Sequence, residues 1–190
     1  MPKIIGICGP SGSGKSTIAK LLADKLEANV IGLDNYFLLE TPHKKYGVPG
    51  KDLELPENTD WQAIHELVDS IHRGDSELRV QKVSWSKNIN EKYTLKNREF
   101  SILEGFLLLH DDLLVKKLDL AVYIDVSDEV GIARRLSREK TDKNKQWFID
   151  VTFPEYQARR EAFKNKADLV LNGEELLGTN VELILERLTI

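Results

Sequence analysis

Residues 9–16 read Gly-Pro-Ser-Gly-Ser-Gly-Lys-Ser, and no other stretch of the 190-residue chain restricts the fold so tightly. The run fits G-x-x-x-x-G-K-[ST] and stands between a short apolar segment, Lys3 to Cys8, and an amphipathic stretch that begins at Lys15 or Ser16. Gly9, Gly12 and Gly14 let successive backbone N–H groups turn inward where side chains would obstruct them, and the helix that follows adds partial positive charge. Such a loop cradles the phosphates of a nucleoside triphosphate. Lys15 is expected to reach the β- and γ-phosphates and the Ser16 hydroxyl a Mg²⁺ ion, with Pro10, Ser11, Ser13 and Thr17 completing the ATP cradle. A dinucleotide fingerprint, G-x-G-x-x-G, would need Gly where Thr17 stands, so that class is excluded.

Beyond the loop, short β-branched or leucine-rich runs alternate with amphipathic stretches, the pattern of a parallel sheet wrapped by helices. Strands are expected at Lys3 to Cys8, Asn29 to Leu33, Phe100 to Leu103, Ala121 to Asp125 and Ala167 to Leu171. The first helix sets Ile18, Leu21, Leu22 and Leu26 on one face. A second opens at Thr59-Asp60-Trp61-Gln62 and carries Trp61, Ile64, Leu67, Val68 and Ile71 as its stripe. Ser127 is expected to cap a third, running to about Lys140; Pro154 starts a fourth through Lys164, and Glu174 to Leu188 makes a fifth. Two segments break the alternation. Thr41 to Pro56, which carries Pro42, Gly47, Pro49, Gly50 and Pro56, reads as a long ordered loop, and Val80 to Leu95 as a β-hairpin turning at Ser86 to Glu91.

Composition narrows the partners. Lys and Arg number 27 against 31 Asp and Glu, a formal charge of −4, so no basic field exists to hold nucleic acid. One cysteine, Cys8, forms no internal disulfide and fits a reducing compartment, with the cytoplasm as the expected location. No apolar run is long enough for a signal peptide or a membrane span. The length suggests one domain, residues 1–190.

The chemistry then turns on acids at strand ends. Asp34 follows the second strand and Glu104 the third, so both project toward the phosphate loop, suited to holding Mg²⁺ or to accepting a proton from an attacking hydroxyl. Arg134 and Arg138 stand four apart on one helix face with Arg135 beside them, placed to neutralise charge on a transferring phosphoryl group. Tyr36 and Trp85 are aromatic candidates for the acceptor side, Trp85 by stacking on a heterocycle.

Together these residues resemble the uridine kinase and nicotinamide riboside kinase group of P-loop small-molecule kinases. Asp34-Asn35-Tyr36-Phe37 resembles that group's Asp-x-Phe-Tyr box, and Asn58-Thr59-Asp60 its Asn-Phe-Asp segment. Leu103-Glu104-Gly105-Phe106 is similar to its Glu-Gly-Phe turn, and Arg134-Arg135-x-x-Arg138 to its lid. The resemblance implies a three-layer α/β P-loop kinase fold with a parallel sheet of about five strands, helices on both faces, a substrate hairpin and an arginine-bearing lid. The lid would span about 134–150, and substrate-side insertions about 35–57 and 80–96. It further implies transfer from ATP, with Mg²⁺, to the 5′-hydroxyl of a nucleoside-like small molecule. Asp34 would be base and metal partner, Glu104 a magnesium-linked acid, Lys15, Arg135 and Arg138 catalytic, and Arg134 an ATP ligand. Asp60 would bind ribose. Lys82 to Asn90 departs from the base-reading box of uridine kinases, so the base stays open, as do ATP against GTP and the oligomeric state. Rival readings are a GTPase switch, from Asp128-Glu129-Val130-Gly131 and Asn165-Lys166-Ala167-Asp168, and a nucleotide-gated regulator.

Overall fold

The structure, a computed structural model, describes residues 1–38, 55–84 and 89–188. Most of the Thr41 to Pro56 loop, the hairpin tip with Trp85, and the last two residues lie outside that description.

Five parallel strands form the central sheet: β1 (Lys3–Cys8), β2 (Asn29–Gly32), β5 (Phe100–Glu104), β6 (Leu120–Asp125) and β7 (Leu169–Asn172), in the order β2-β5-β1-β6-β7. β1 is central and buried on both faces, which explains its unbroken apolar run. Ile5 and Ile7 point to one side, where Ile18 and Leu22 of α1 (Lys15–Leu26) and Val181 and Ile184 of α7 (Leu177–Leu188) cover them. Ile4 and Cys8 point to the other, onto Ile64, Leu67, Val68 and Ile71 of α2 (Trp61–Arg73). Burying each of those four α2 side chains is worth about 1.5–3 kcal/mol before entropy is subtracted. α2 starts where Asp60 Oδ1 accepts from the Ala63 N–H at 3.0 Å, and stops at Gly74, whose φ of 72° only glycine adopts freely.

The remaining pieces are a two-stranded hairpin, β3 (Glu77–Ser84) with β4 (Ile89–Lys96), which forms its own sheet, and the helices α3 (Asp112–Val115), α4 (Asp128–Leu136), α5 (Asp142–Trp147) and α6 (Phe153–Lys166). A π-helical turn, Phe148–Thr152, joins α5 to α6. Among the described residues no helix is long and apolar enough to cross a membrane.

Several sequence expectations are corrected. Leu33 leaves the strand and opens a 3₁₀ turn, Leu33–Tyr36. Leu21 is exposed on α1, and Ala19 and Ala23 take the buried positions. Ile89 to Glu91 pair in β4 rather than turning, with Ile89 opposite Ser84. α4 ends at Leu136, where the Ser137 hydroxyl donates back to the Arg134 carbonyl at 2.9 Å, and Ser127 makes no side-chain cap bond. β7 starts two residues late because Asp168 turns its carboxylate onto the Ala121 N–H at 2.8 Å. α7 starts at Leu177 rather than Glu174, whose carboxylate instead accepts from the Ser127 N–H at 2.9 Å.

Candidate active site

The carboxyl ends of β1, β2 and β5 converge on a cavity of about 290 Å³. β1 delivers the glycine-rich loop. Gly9, Gly12 and Gly14 have φ of 151°, 87° and 98°, and a Cβ on Gly12 would sit 2.7 Å from the Gly131 carbonyl oxygen of α4. Ser11, Gly12 and Gly14 to Thr17 line the cavity, whereas Gly9 and Ser13 lie beneath it. Ser13 is fully buried and its Oγ has no hydrogen-bond partner among the described residues. Lys15 donates from Nζ to the Pro10 carbonyl at 2.9 Å, which folds the ammonium over the loop.

Register places the first acid. Glu104, the last residue of β5, stands between Ile7 of β1 and Gly32 of β2, and the Ser16 hydroxyl lies 3.2 Å from both of its carboxylate oxygens. Asp34, in the 3₁₀ turn after β2, opens onto the same cleft. Enclosure by protein raises the carboxyl pKa of both acids; Lys15 opposes the rise at each, Arg135 opposes it at Asp34, and Asp34 adds to it at Glu104. One hydroxyl and two carboxylates offer the all-oxygen donor set that Mg²⁺ takes. No cluster of three or more His, Cys, Asp or Glu suited to a metal exists among the described residues, so phosphate oxygens and water would fill the remaining positions.

The three arginines separate. Arg135 and Arg138 line the cavity. Arg135 pairs with Glu139 at 2.5 Å and lies over the Phe148 ring, 5.7 Å from its centroid. Arg134 turns away and donates from Nη1 to the Gly173 and Gly12 carbonyls at 2.8 and 3.3 Å, bolting the loop to the turn after β7. The expected Arg134/Arg138 face does not survive, because α4 ends between them.

Acceptor-side residues also sort differently from expectation. Tyr36 is 1% exposed and faces the core between α2 and the hairpin, while its neighbour Phe37 enters the cavity. Burial pushes the Tyr36 phenol up to about 12. Asp60 does not line the cavity; its carboxylate caps α2. Trp85 lies outside the described residues. Thr59, Phe106 and Tyr156 line the cavity and were not anticipated, and the Phe106 and Tyr156 rings meet at 4.1 Å. The pieces of the GTPase patterns serve structure: Asp128 accepts from Arg160 at 2.9 Å, Lys166 pairs with Asp112 at 2.6 Å, and Asp168 is occupied by Ala121.

A family model described as the phosphoribulokinase/uridine kinase family matches residues 4–168. Among similar proteins, a uridine kinase of Halobacterium salinarum is 24% identical, covering 88% of this chain and 78% of its own. One of Lactobacillus helveticus is 27% identical over 98% of this chain and 97% of its own. Solved structures share the fold. A protein described as a candidate fructose transport system kinase, from Silicibacter sp. TM1040, superposes with a TM-score of 0.69 at 19% identity, covering 89% of each chain. A "possible uridine kinase" from Bacillus stearothermophilus gives 0.63 at 19% identity, covering 90% of this chain and 89% of that one.

Proposed function

The chain belongs to the phosphoribulokinase/uridine kinase family and is a P-loop kinase, and from that premise we propose that it transfers the γ-phosphoryl group of ATP to the 5′-hydroxyl of a ribonucleoside, uridine or cytidine. The carrying observation is that Lys15, Ser16, Asp34, Glu104, Arg135 and Arg138 line one cavity from four separate chain segments. Asp34 accepts a hydrogen bond from the attacking hydroxyl and orients it toward the phosphorus; the loose transition state asks little more of a base. Lys15 and the two arginines donate to the phosphoryl oxygens as charge spreads over them. Ser16, Glu104 and Asp34 would hold Mg²⁺, which supplies charge neutralisation between the phosphates. The backbone N–H groups of residues 11–16 fix the donor so that attack is in line.

Initial rates with uridine, cytidine, nicotinamide riboside, pantothenate and simple sugars, each with ATP and with GTP, test this reading. Phosphorylated pyrimidine nucleoside is expected, abolished by Lys15→Ala in a protein of unchanged fold. ATP binding with no phosphorylated small molecule would refute it in favour of a nucleotide-gated regulator. A second reading, a pyridine riboside acceptor, is favoured by one feature: Phe37, Phe106 and Tyr156 all line the cavity, an aromatic lining against which a flat heterocycle packs. Faster turnover of nicotinamide riboside than of uridine would select it.

A further inference from the structure

We infer that Arg160 is a positioning residue for phosphoryl transfer: from α6 it sets the seat of α4 and, through α4, the reach of Arg135 and Arg138. The inference rests on the reading of those two arginines as donors to the phosphoryl group. Little else holds α4 in place. Of its nine residues only Gly131 is buried, so no apolar stripe fixes the angle of the helix. Arg134 ties its last turn to the Gly12 and Gly173 carbonyls. At the other end Ser127 makes no side-chain cap bond; Glu174 accepts from the Ser127 N–H, and α6 grips Asp128, the first residue of the helix.

That grip uses every nitrogen of one guanidinium. Arg160 donates from Nε to Asp125 Oδ1 at 2.8 Å, from Nη2 to the Val126 carbonyl at 2.9 Å and from Nη1 to Asp128 Oδ1 at 2.9 Å, so a planar fork ties the end of β6 to the start of α4. Gln157 donates to the other Asp128 oxygen at 2.9 Å. Lys164 stands 3.1 Å from Asp125 Oδ2, so without Arg160 the end of β6 keeps a cation, whereas among the described residues Asp128 keeps only the Gln157 amide. Loss of Arg160 therefore loosens α4 and leaves β6 paired. Arg135 lies seven residues beyond Asp128, about 10 Å along the helix at 1.5 Å per residue, so a tilt of about 6° at the first turn carries it about 1 Å. Misplacement on that scale costs phosphoryl transfer up to about 100-fold. Lysine, with one nitrogen, does not span three acceptors on two elements.

The experiment measures kcat and the KM of ATP and of uridine in wild type, Arg160→Ala and Arg160→Lys, and repeats Arg160→Ala in an Arg135→Ala/Arg138→Ala background. Arg160→Ala is expected to lower kcat about 10- to 100-fold with both KM values within about threefold, and Arg160→Lys to recover little of the loss. In the Arg135→Ala/Arg138→Ala background the same change should move the remaining kcat by less than about twofold, because the groups it positions are gone. Asp128→Ala is the second variant should Arg160→Ala fail to fold: its side chain is 46% exposed, and its removal cuts the bonds to α4 while sparing those to Asp125 and Val126. It should lose kcat about 5- to 20-fold with the same dependence on background. An equal loss in both backgrounds assigns Arg160 to folding or to the phosphate loop and overturns the inference. So does an unchanged kcat, or a raised ATP KM alone. If Arg135→Ala/Arg138→Ala itself keeps the wild-type kcat, the reading of the arginines falls, and this inference with it. Should wild type leave uridine untouched, the pyrimidine reading alone falls and nicotinamide riboside takes its place in the same comparison; transfer to neither overturns both.

Discussion

The phosphate-binding loop rests on Gly173, in the turn after β7, and Gly173→Ala tests how tightly. A Cβ there would lie 2.7 Å from the Ser13 carbonyl oxygen and 2.9 Å from that of Asp125, both backbone atoms that no side-chain rotation can move. Restoring an ordinary 3.4 Å at each demands shifts of 0.7 and 0.5 Å. Gly173 also donates to Asp125 at 2.6 Å and accepts from Arg134, so its own backbone has little room to retreat. Overpacking of this kind costs about 1–3 kcal/mol, and at this chain length each kcal/mol lowers Tm by roughly 2–4 °C, so a fall of roughly 2–12 °C is expected. Displacing Ser13 by about half an ångström misplaces the donor phosphates, and kcat/KM for ATP should drop roughly tenfold while the acceptor KM stays within about twofold. Thermal melts and initial rates over an ATP series measure both. Gly178→Ala is the control: nothing lies within 4 Å of its added Cβ, and the helix gains up to about 1 kcal/mol. A Gly173→Ala protein with wild-type Tm and ATP KM would refute the packing argument.

Asp34 and Glu104 must be ionised to act, and enclosure raises both pKa values, so log kcat should fall with acid at a pH above the ordinary carboxylate range; a flat profile down to pH 5 would count against it. The stability sign is opposite to that of a salt-bridged acid. The folded state binds these protons more readily than the unfolded chain, so stability falls as pH rises from the unfolded to the folded pKa and is level above. Asp34→Asn should therefore keep or raise Tm at neutral pH while cutting turnover, which melts and rates on one preparation will show. Glu104→Gln should be partly rescued by raised Mg²⁺ and Asp34→Asn should not; rescue of Asp34→Asn alone would exchange the two roles. Arg135→Ala and Arg138→Ala should lower kcat more than they raise the acceptor KM, and unchanged kinetics would make these arginines solvated surface.

What the sequence reveals is set by distance along the chain. The phosphate loop, the two strand-end acids and the hairpin are local patterns, and they sit where local reasoning puts them. Of Tyr36 and Phe37 only Phe37 reaches the cavity, because the 3₁₀ turn that ends at Tyr36 sends that ring into the core and the extended backbone at Phe37 follows it, a change of conformation the local pattern does not show. Helical spacing puts Arg134 and Arg138 on one face only while the helix lasts, and α4 ends at Leu136. α5 went unread because Asp142 to Lys145 is polar all round, leaving no apolar stripe to betray a helix. Tyr156 owes its place in the cavity to contacts with residues far away in sequence, and no pattern around it signals that.

Among the described residues the hairpin of β3 and β4 shares no ladder with the five-stranded sheet; it leans on α2 and the 3₁₀ turn through Leu78 and Val80. Apart from these two buried anchors, its residues stand outside the register that aligns Glu104 with Gly32 and Ile7. The hairpin, expected from the sequence as an acceptor-side insertion, is thus a segment in which grafts that keep the buried Leu78 and Val80 leave the phosphate loop and its two acids in place.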